Sequence, residues 1–128
     1  MSKVQPIMLE GHMPPVSHYA HGCRAGDRLW ISGMVGADSD GNVPDDVVEQ
    51  FKLALGTVDA VLRSQGGKPH NIVKVQTFLT DINDRPKINP LRQEYFGDHR
   101  PASTLVEVSA LVAPTMKVEI EAEAVLDD

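Results

Sequence analysis

The chain has 128 residues, with 12 basic and 18 acidic side chains, a formal net charge of −6 and one cysteine. This length predicts one domain over residues 1–128, and a single cysteine excludes an internal disulfide framework. Because no Lys/Arg cluster, no signal peptide and no apolar run near the roughly 20 residues of a membrane span are visible, we expect a cytoplasmic protein that binds neither nucleic acid nor membrane.

The first third of the chain predicts three short strands. Val4–Leu9 is expected at a sheet edge, because Pro6 cannot donate a hydrogen bond to a neighbouring strand. His18–Arg24 and Arg28–Gly33 are separated by the turn residues 25–27, so they predict a hairpin.

A long amphipathic helix should follow this hairpin. Asp46 and Glu49 have the spacing of a capping box, and the glycine pair 66–67 is a natural end. Between them, apolar residues recur at helical spacing: Val47, Phe51, Leu55, Val58 and Leu62.

The second half of the chain predicts three more strands and a second helix. Asn89 is expected to cap a helix over Pro90–Phe96. The strands are expected at Ile72–Thr80, Ser103–Val108 and Lys117–Leu126. In the first of these strands, alternation places four side chains on one face: Val73, Val75, Thr77 and Leu79.

The closing strand has the clearest alternation in the chain. One face is apolar, and the other carries Lys117, Glu119, Glu121 and Glu123. Each glutamate could be a solvated surface charge, since charged residues are mostly exposed. One of them could instead be half-buried at a subunit contact and perform acid–base chemistry.

The element order is β-β-β-α-β-α-β-β, which predicts an α+β fold with both helices packed on one face of a mixed sheet. The opposite face would then lack a cover. Trp30, Met34 or Leu105 could be exposed there in a lone subunit, so we expect a homo-oligomer that buries this face.

The sequence contains no simple motif for a metal or a cofactor. His18 and His21 should point to opposite faces of a strand, and Cys23 has no third partner, so no metal site is expected. No phosphate-binding glycine loop and no G-x-S-x-G elbow are present. The candidate site residues are polar groups near strand ends and helix starts, each with a plain structural interpretation as well: Tyr19, Ser32, Asn89, Ser103, Thr104 and Glu119.

Five segments of the chain resemble the RidA (YjgF-like) family in order and spacing, among them Gly41–Pro44, which leads into the long helix as in the family. The closing run Pro101–Val125 is similar to the family's P-A-R-[ST]-x-V-x-V and [VI]-E-I-E-x-x-A motifs. Leu29–Gly33 resembles its strand ending in Ser-Gly, Ile72–Leu79 its I-V-K-x-x-x-F strand, and Asn83–Phe96 its second helix. The similarity covers nearly the whole chain.

The resemblance implies a chorismate-mutase-like fold and a homotrimer with clefts between subunits. It also implies hydrolysis of reactive imines and enamines, such as 2-aminoacrylate, to a keto acid and ammonia without a metal or organic cofactor. By position, Glu119 matches the glutamate that handles a water proton, Tyr19 the cleft tyrosine and Asn89 the asparagine of the second helix. The remaining residues expected to bind substrate are Ser32, Gly33, Ser103, Thr104 and Leu105.

The chain departs from the family around this expected cleft. The arginine that would grip the substrate carboxylate is replaced by Ser103, which carries no charge. The substrate is therefore expected to differ from 2-aminoacrylate, and a replacement cation could come from Arg24, Arg28, Arg92 or Arg100. Two principal functions stay open: a divergent imine and enamine deaminase, and a trimer that binds a small metabolite without turning it over. A chaperone-like role through exposed apolar surface has the least support.

Overall fold

The computed structural model describes residues 3–128, whose helices and strands follow the predicted order. The strands are β1 (Val4–Ile7), β2 (Gly22–Ala25), β3 (Arg28–Val35), β4 (Ile72–Leu79), β5 (Ala102–Glu107) and β6 (Val118–Val125). The helices are α1 (Val47–Ser64) and α2 (Arg85–Phe96), and short 3₁₀ turns at Pro69–Asn71 and Ile82–Asp84 precede β4 and α2.

The strands form one six-stranded mixed sheet in the order β1-β2-β3-β6-β4-β5. All neighbouring strands are antiparallel except β4 and β5, which are parallel and joined by α2 as a crossover. β1 and β5 are the two edges, which agrees with the edge position expected from Pro6. The predicted α+β fold class is therefore confirmed.

Both helices share one core with one face of the sheet. α1 begins where the Asp46 carboxylate accepts a hydrogen bond from the Glu49 backbone N–H, as the capping spacing predicted. The alternation predicted for β6 is also confirmed, because Val118, Ile120, Ala122 and Ala124 are buried under the helices while its glutamates point away. The largest fully buried side chains include Phe51, Leu29, Leu62, Ile72, Leu79, Ile88 and Ile120.

The buried Gln50 ties the start of α1 to the start of β6. Its side-chain amide donates to the carbonyls of Pro44 (2.7 Å) and Thr115 (3.0 Å) and accepts from the Lys117 backbone N–H at 2.8 Å. A buried polar group is stable only when such partners are present. This network fixes the chain just before Glu119.

The predicted start of the second helix was wrong. α2 begins at Arg85, so Asn89 lies inside the helix and is not its N-cap. The chain offers two prolines, and Pro86 takes the helix start, where a missing N–H is harmless. Pro90 is then accommodated inside α2 at the loss of one backbone hydrogen bond.

Two of the three strands predicted in the first third of the chain were wrong at one end. β1 ends at Ile7, and β2 begins at Gly22, not at His18. Before His21 the backbone bonds within its own loop, where the Tyr19 N–H donates to the Ser17 carbonyl at 3.1 Å. Residues 8–21 therefore form a loop that runs beside the end of β3.

Bulges change which side chains the sheet buries. In β4, the register shifts between Ile72 and Lys74, so Val73 is 45% exposed and does not share the buried face as predicted. In β3, a second shift buries Met34, which was expected on the open face. Leu105 is partly buried against the core, and only Trp30 of the three expected residues is exposed, at 39%.

Within residues 3–128, neither helix has the length and apolar character needed to cross a bilayer.

Candidate functional site

A β-bulge in β3 lies beside a polar cleft of the protein. Ile31 pairs with Ala122, whereas Met34 pairs with Ile120, so β3 carries one more residue than β6 between these pairs. Ser32 and Gly33 occupy the bulge. Bulges often lie next to active sites, because the extra residue redirects neighbouring backbone and side chains.

The bulge also anchors the loop that precedes β2. The Ser32 hydroxyl donates to the Ala20 carbonyl at 2.7 Å, and the Ser32 N–H donates to the His21 carbonyl at 3.0 Å. The Ser32 side chain therefore holds the loop that carries Tyr19, which lies beside the bulge with 45% of its surface exposed.

His21 fixes the other end of this loop. The ring is 2% exposed; its Nδ1 accepts from the Leu9 N–H at 3.0 Å, and its Nε2 lies 3.0 Å from the Met13 carbonyl. Because Nδ1 accepts, the proton must be on Nε2, which donates to Met13. His21 is thus a structural histidine, and it shapes one wall of the cleft.

Glu119 lies on the open face of the sheet above the bulge. It is half-buried between Val35 of β3 and Phe78 of β4, the residues that pair with it on either side. A side chain on Gly33 would place its Cβ 2.3 Å from Glu119 Oε2, so the carboxylate can lie here only because residue 33 is glycine. Among residues 3–128, no hydrogen-bond donor engages this carboxylate.

Two effects raise the pKa of Glu119 above its usual range. The larger is burial, which disfavours the ionised form, and the smaller is repulsion from Glu121 on the same strand face. A carboxylate with a raised pKa is a better proton acceptor near neutral pH than an ordinary glutamate. Glu119 therefore has the electrostatic character of a general acid–base group.

These residues line a cleft of about 550 Å³. Its polar lining includes Tyr19, Ser32, Gly33, Glu119 and Glu121, and its apolar lining includes Met13, Val16, Met34 and Val112. Such a mixture suits a small organic molecule with one reactive polar group. Four predicted site residues thus meet in one chain: Tyr19, Ser32, Gly33 and Glu119.

The other predicted site residues lie elsewhere. Ser103 and Leu105 on β5 pair with the buried residues Val75 and Thr77, so both point to the face that the helices cover. Thr104 points to the open face and accepts a hydrogen bond from Lys74 Nζ at 2.9 Å. Because β5 is an edge strand, none of these three residues lines the cleft around Glu119 in the same chain.

A second polar group forms where α2 packs beside β5. Arg92 Nη2 donates to Ser103 Oγ at 2.8 Å. Asn89 lies one helical turn before Arg92 and therefore on the same side of α2. We call Arg85, Asn89, Arg92 and Ser103 the α2–β5 polar group.

The sequence did not reveal the positions of two residues, Glu121 and Arg92. Glu121 was recognised only as part of the alternation, although it lines the cleft and raises the pKa of Glu119. Arg92 was one of four candidate cations, and its i+3 spacing from Asn89 was the available signal. Within the part of the chain that the structure describes, no three His, Cys, Asp or Glu side chains are grouped closely enough to hold a metal ion.

Comparison with known proteins gives consistent matches over nearly the whole chain. The model of a family described as Endoribonuclease L-PSP matches residues 10–126. A 2-iminobutanoate/2-iminopropanoate deaminase of Escherichia coli is 34% identical over 129 residues, covering 98% of each chain. A 3-aminoacrylate deaminase RutC of Acinetobacter baylyi is 32% identical over 120 residues, covering 92% of this chain and 94% of the relative.

Solved structures share the same fold. The crystal structure of E. coli TdcF with bound serine superposes with a TM-score of 0.89 at 30% identity. The match covers 96% of this chain and 99% of TdcF.

Proposed function

The chain belongs to the RidA (YjgF-like) family, and from that membership we propose that it hydrolyses reactive imines and enamines to carbonyl compounds and ammonia. The relatives named as iminobutanoate, iminopropanoate and aminoacrylate deaminases support this reaction class. The observation that carries the proposal is Glu119. Its carboxylate is half-buried, has a raised pKa, and occupies space that a side chain at Gly33 would fill.

The proposed reaction needs a base, a water molecule and a protonated leaving group. A water oxygen attacks the carbon of the protonated imine while Glu119 accepts a proton from that water, which forms a neutral carbinolamine. Glu119 then gives this proton to the nitrogen. The C–N bond breaks and ammonia leaves as the C=O bond forms, and Glu119 accepts the hydroxyl proton that the new carbonyl releases. An enamine first takes a proton on carbon and enters as the protonated imine. Tyr19 lines the same cleft, and we propose that it orients the substrate.

We propose that the complete site forms between copies of this chain. Glu119 lies on the open sheet face, whereas Asn89, Ser103 and Leu105 lie beside the β5 edge on the helix side. A second copy that covers the open face can bring its own β5 edge to the Glu119 cleft. A closed homotrimer, which the family resemblance implies, satisfies this requirement three times.

The test is ammonia release from a panel of imines generated in place by an amino-acid oxidase. Glu119→Gln keeps the size of the side chain and removes the base, so we expect the rate to fall by roughly 100-fold to 10,000-fold. Glu123→Gln on the same strand face is the matched control and should leave the rate unchanged, because Glu123 is exposed and does not line this cleft. Wild-type activity that survives Glu119→Gln would contradict the proposal.

A second candidate function is a trimer that binds a small metabolite without converting it. The observation that favours it is Ser103, a neutral residue at the position of the family's carboxylate-binding arginine. Saturable binding of a 2-keto acid without ammonia release from any imine would support this alternative. Absence of any ligand-induced rise in melting temperature would exclude it, since a ligand selective for the folded state stabilises that state.

We propose small molecules, not RNA, as the substrates, although the family description mentions an endoribonuclease. The chain has a net charge of −6, and its cleft is lined by Glu119 and Glu121. Phosphate backbones bind surfaces rich in lysine and arginine. We also expect the protein to act in the cytoplasm without a metal or organic cofactor.

A further inference from the structure

Arg92 presents a half-buried positive charge that no carboxylate neutralises. Its guanidinium donates to the neutral Ser103 hydroxyl, and none of the ion pairs among residues 3–128 includes Arg92. Burial lowers the pKa of this guanidinium, and the neighbouring Arg85 lowers it further. The guanidinium is partly desolvated and has a neutral partner, so an anion is the ligand that its charge and its remaining N–H donors favour.

Two polar side chains of α2 beside Arg92 are free of protein hydrogen bonds within residues 3–128. Arg85, Asn89 and Arg92 follow one another at spacings of four and three, which places them along one side of α2. Neither Arg85 nor Asn89 makes a side-chain hydrogen bond to another described residue. Glu107, the acidic residue of β5, accepts a hydrogen bond from the Ile82 N–H at 2.9 Å and pairs with neither arginine.

We propose that Arg92 binds the substrate's carboxylate, with Ser103 fixing its guanidinium and with Arg85 and Asn89 completing the anion site. This inference rests on the proposed function and names its substrate class: 2-imino acids and enamine acids. Helix α2 supplies the cation because strand β5 carries Ser103 where the family has its arginine. On this assignment, Arg92 is the replacement cation among the four that the sequence offered, Arg24, Arg28, Arg92 and Arg100.

The chemistry of the two side chains suits this role. A guanidinium has five N–H donors in a planar fork that matches a carboxylate, and the bond to Ser103 uses only one of them. Serine is small, so the space beside Arg92 stays open to a ligand. In a complete site, the carboxylate would bind the α2–β5 polar group of one copy, and its C=N carbon would reach the Glu119 cleft of the next.

The test measures binding, so it does not depend on catalysis. Calorimetry compares 2-oxobutanoate with the uncharged 2-oxobutanamide, using wild type, Arg92→Gln and the control Arg63→Gln. Arg63 is an exposed arginine of α1 that pairs with Asp59. We expect Arg92→Gln to weaken binding of the acid between roughly 30-fold and 1,000-fold and binding of the amide less than about threefold, while Arg63→Gln changes neither.

Three results would overturn the inference: wild type that does not prefer the acid, Arg92→Gln that binds the acid as tightly as wild type, or equal losses for acid and amide. If Arg92→Gln fails to fold, Arg92→Lys replaces it. This variant keeps the charge but loses the fork, so the acid should bind with intermediate affinity, and wild-type affinity would refute the role of Arg92. Acid binding that depends on Arg92, without hydrolysis of any imine, would refute the proposed reaction and leave the anion site standing.

Discussion

Replacing Gly33 by alanine should inactivate the cleft while leaving the fold intact. The added Cβ would lie 2.3 Å from Oε2 and 2.9 Å from Cδ of Glu119. Favourable contacts between nonbonded heavy atoms begin near 3.5 Å, so the carboxylate must move by roughly 1 Å. A displacement of this size at a reacting group can lower the rate about 100-fold. The fold should tolerate the change, because the displaced atoms are the free end of a flexible side chain.

The assay is kcat/KM for imine hydrolysis together with thermal unfolding. Gly56→Ala in α1 is the matched control, because the Cβ that it adds has no neighbour within 4 Å apart from the backbone of its own helix and the adjacent residues. It should keep full activity and gain about 0.5–1 kcal/mol of stability from better helix propensity. Full activity of Gly33→Ala would refute the reasoning, because Glu119 could then move without effect on the reaction. A large fall in its melting temperature would show that the close contact serves the fold.

Three further predictions follow from the same contacts. Glu121→Gln removes the repulsion that helps to raise the pKa of Glu119, so the acid limb of the pH–rate profile should move to lower pH; an unchanged limb would contradict the assignment of Glu119 as the base. The pKa of Glu119 is raised in the folded state, so the folded protein holds the proton of this carboxyl group more tightly than the unfolded chain does. The stability that this group contributes is therefore lost as the pH rises through the folded-state pKa. Glu119→Gln should therefore stabilise the protein by less than about 1 kcal/mol in urea unfolding at pH 8 and lose this advantage at pH 4, whereas equal effects at both pH values would refute the burial argument. Gln50→Leu leaves the Pro44 and Thr115 carbonyls and the Lys117 N–H without their partner, so it should lower the free energy of unfolding by about 3 kcal/mol, against no change for the exposed Gln93→Leu; a similar loss in both variants would contradict the role of this network.

The sequence predicted the elements whose signals are local. The alternation of β6 identified which face carries Glu119, and the Asp46–Glu49 spacing located the start of α1. The bulges were not predictable in the same way. One extra residue in a strand moves the following side chains to the other face, and neither Val73 nor Met34 shows by its chemistry that a bulge is near.

The candidate site was only partly predictable from the sequence. Tyr19, Ser32, Gly33 and Glu119 line one cleft, whereas Asn89, Ser103, Thr104 and Leu105 do not line it in the same chain. Asn89 was taken as a cap because local proline rules allow two helix starts, and tertiary packing selects the earlier one. The contact between Arg92 and Ser103 depends on how α2 crosses to β5, which no local pattern encodes.

The most direct test of a site shared between copies is complementation between two inactive variants. One carries Glu119→Gln, and the other carries Asn89→Ala with Arg92→Gln. Each should be inactive alone. Refolded together in equal amounts, they should recover about a quarter of wild-type ammonia release, because random assembly joins an intact Glu119 cleft to an intact α2–β5 polar group at that fraction of interfaces. Mixed oligomers that form but stay inactive would contradict a site completed by a second copy.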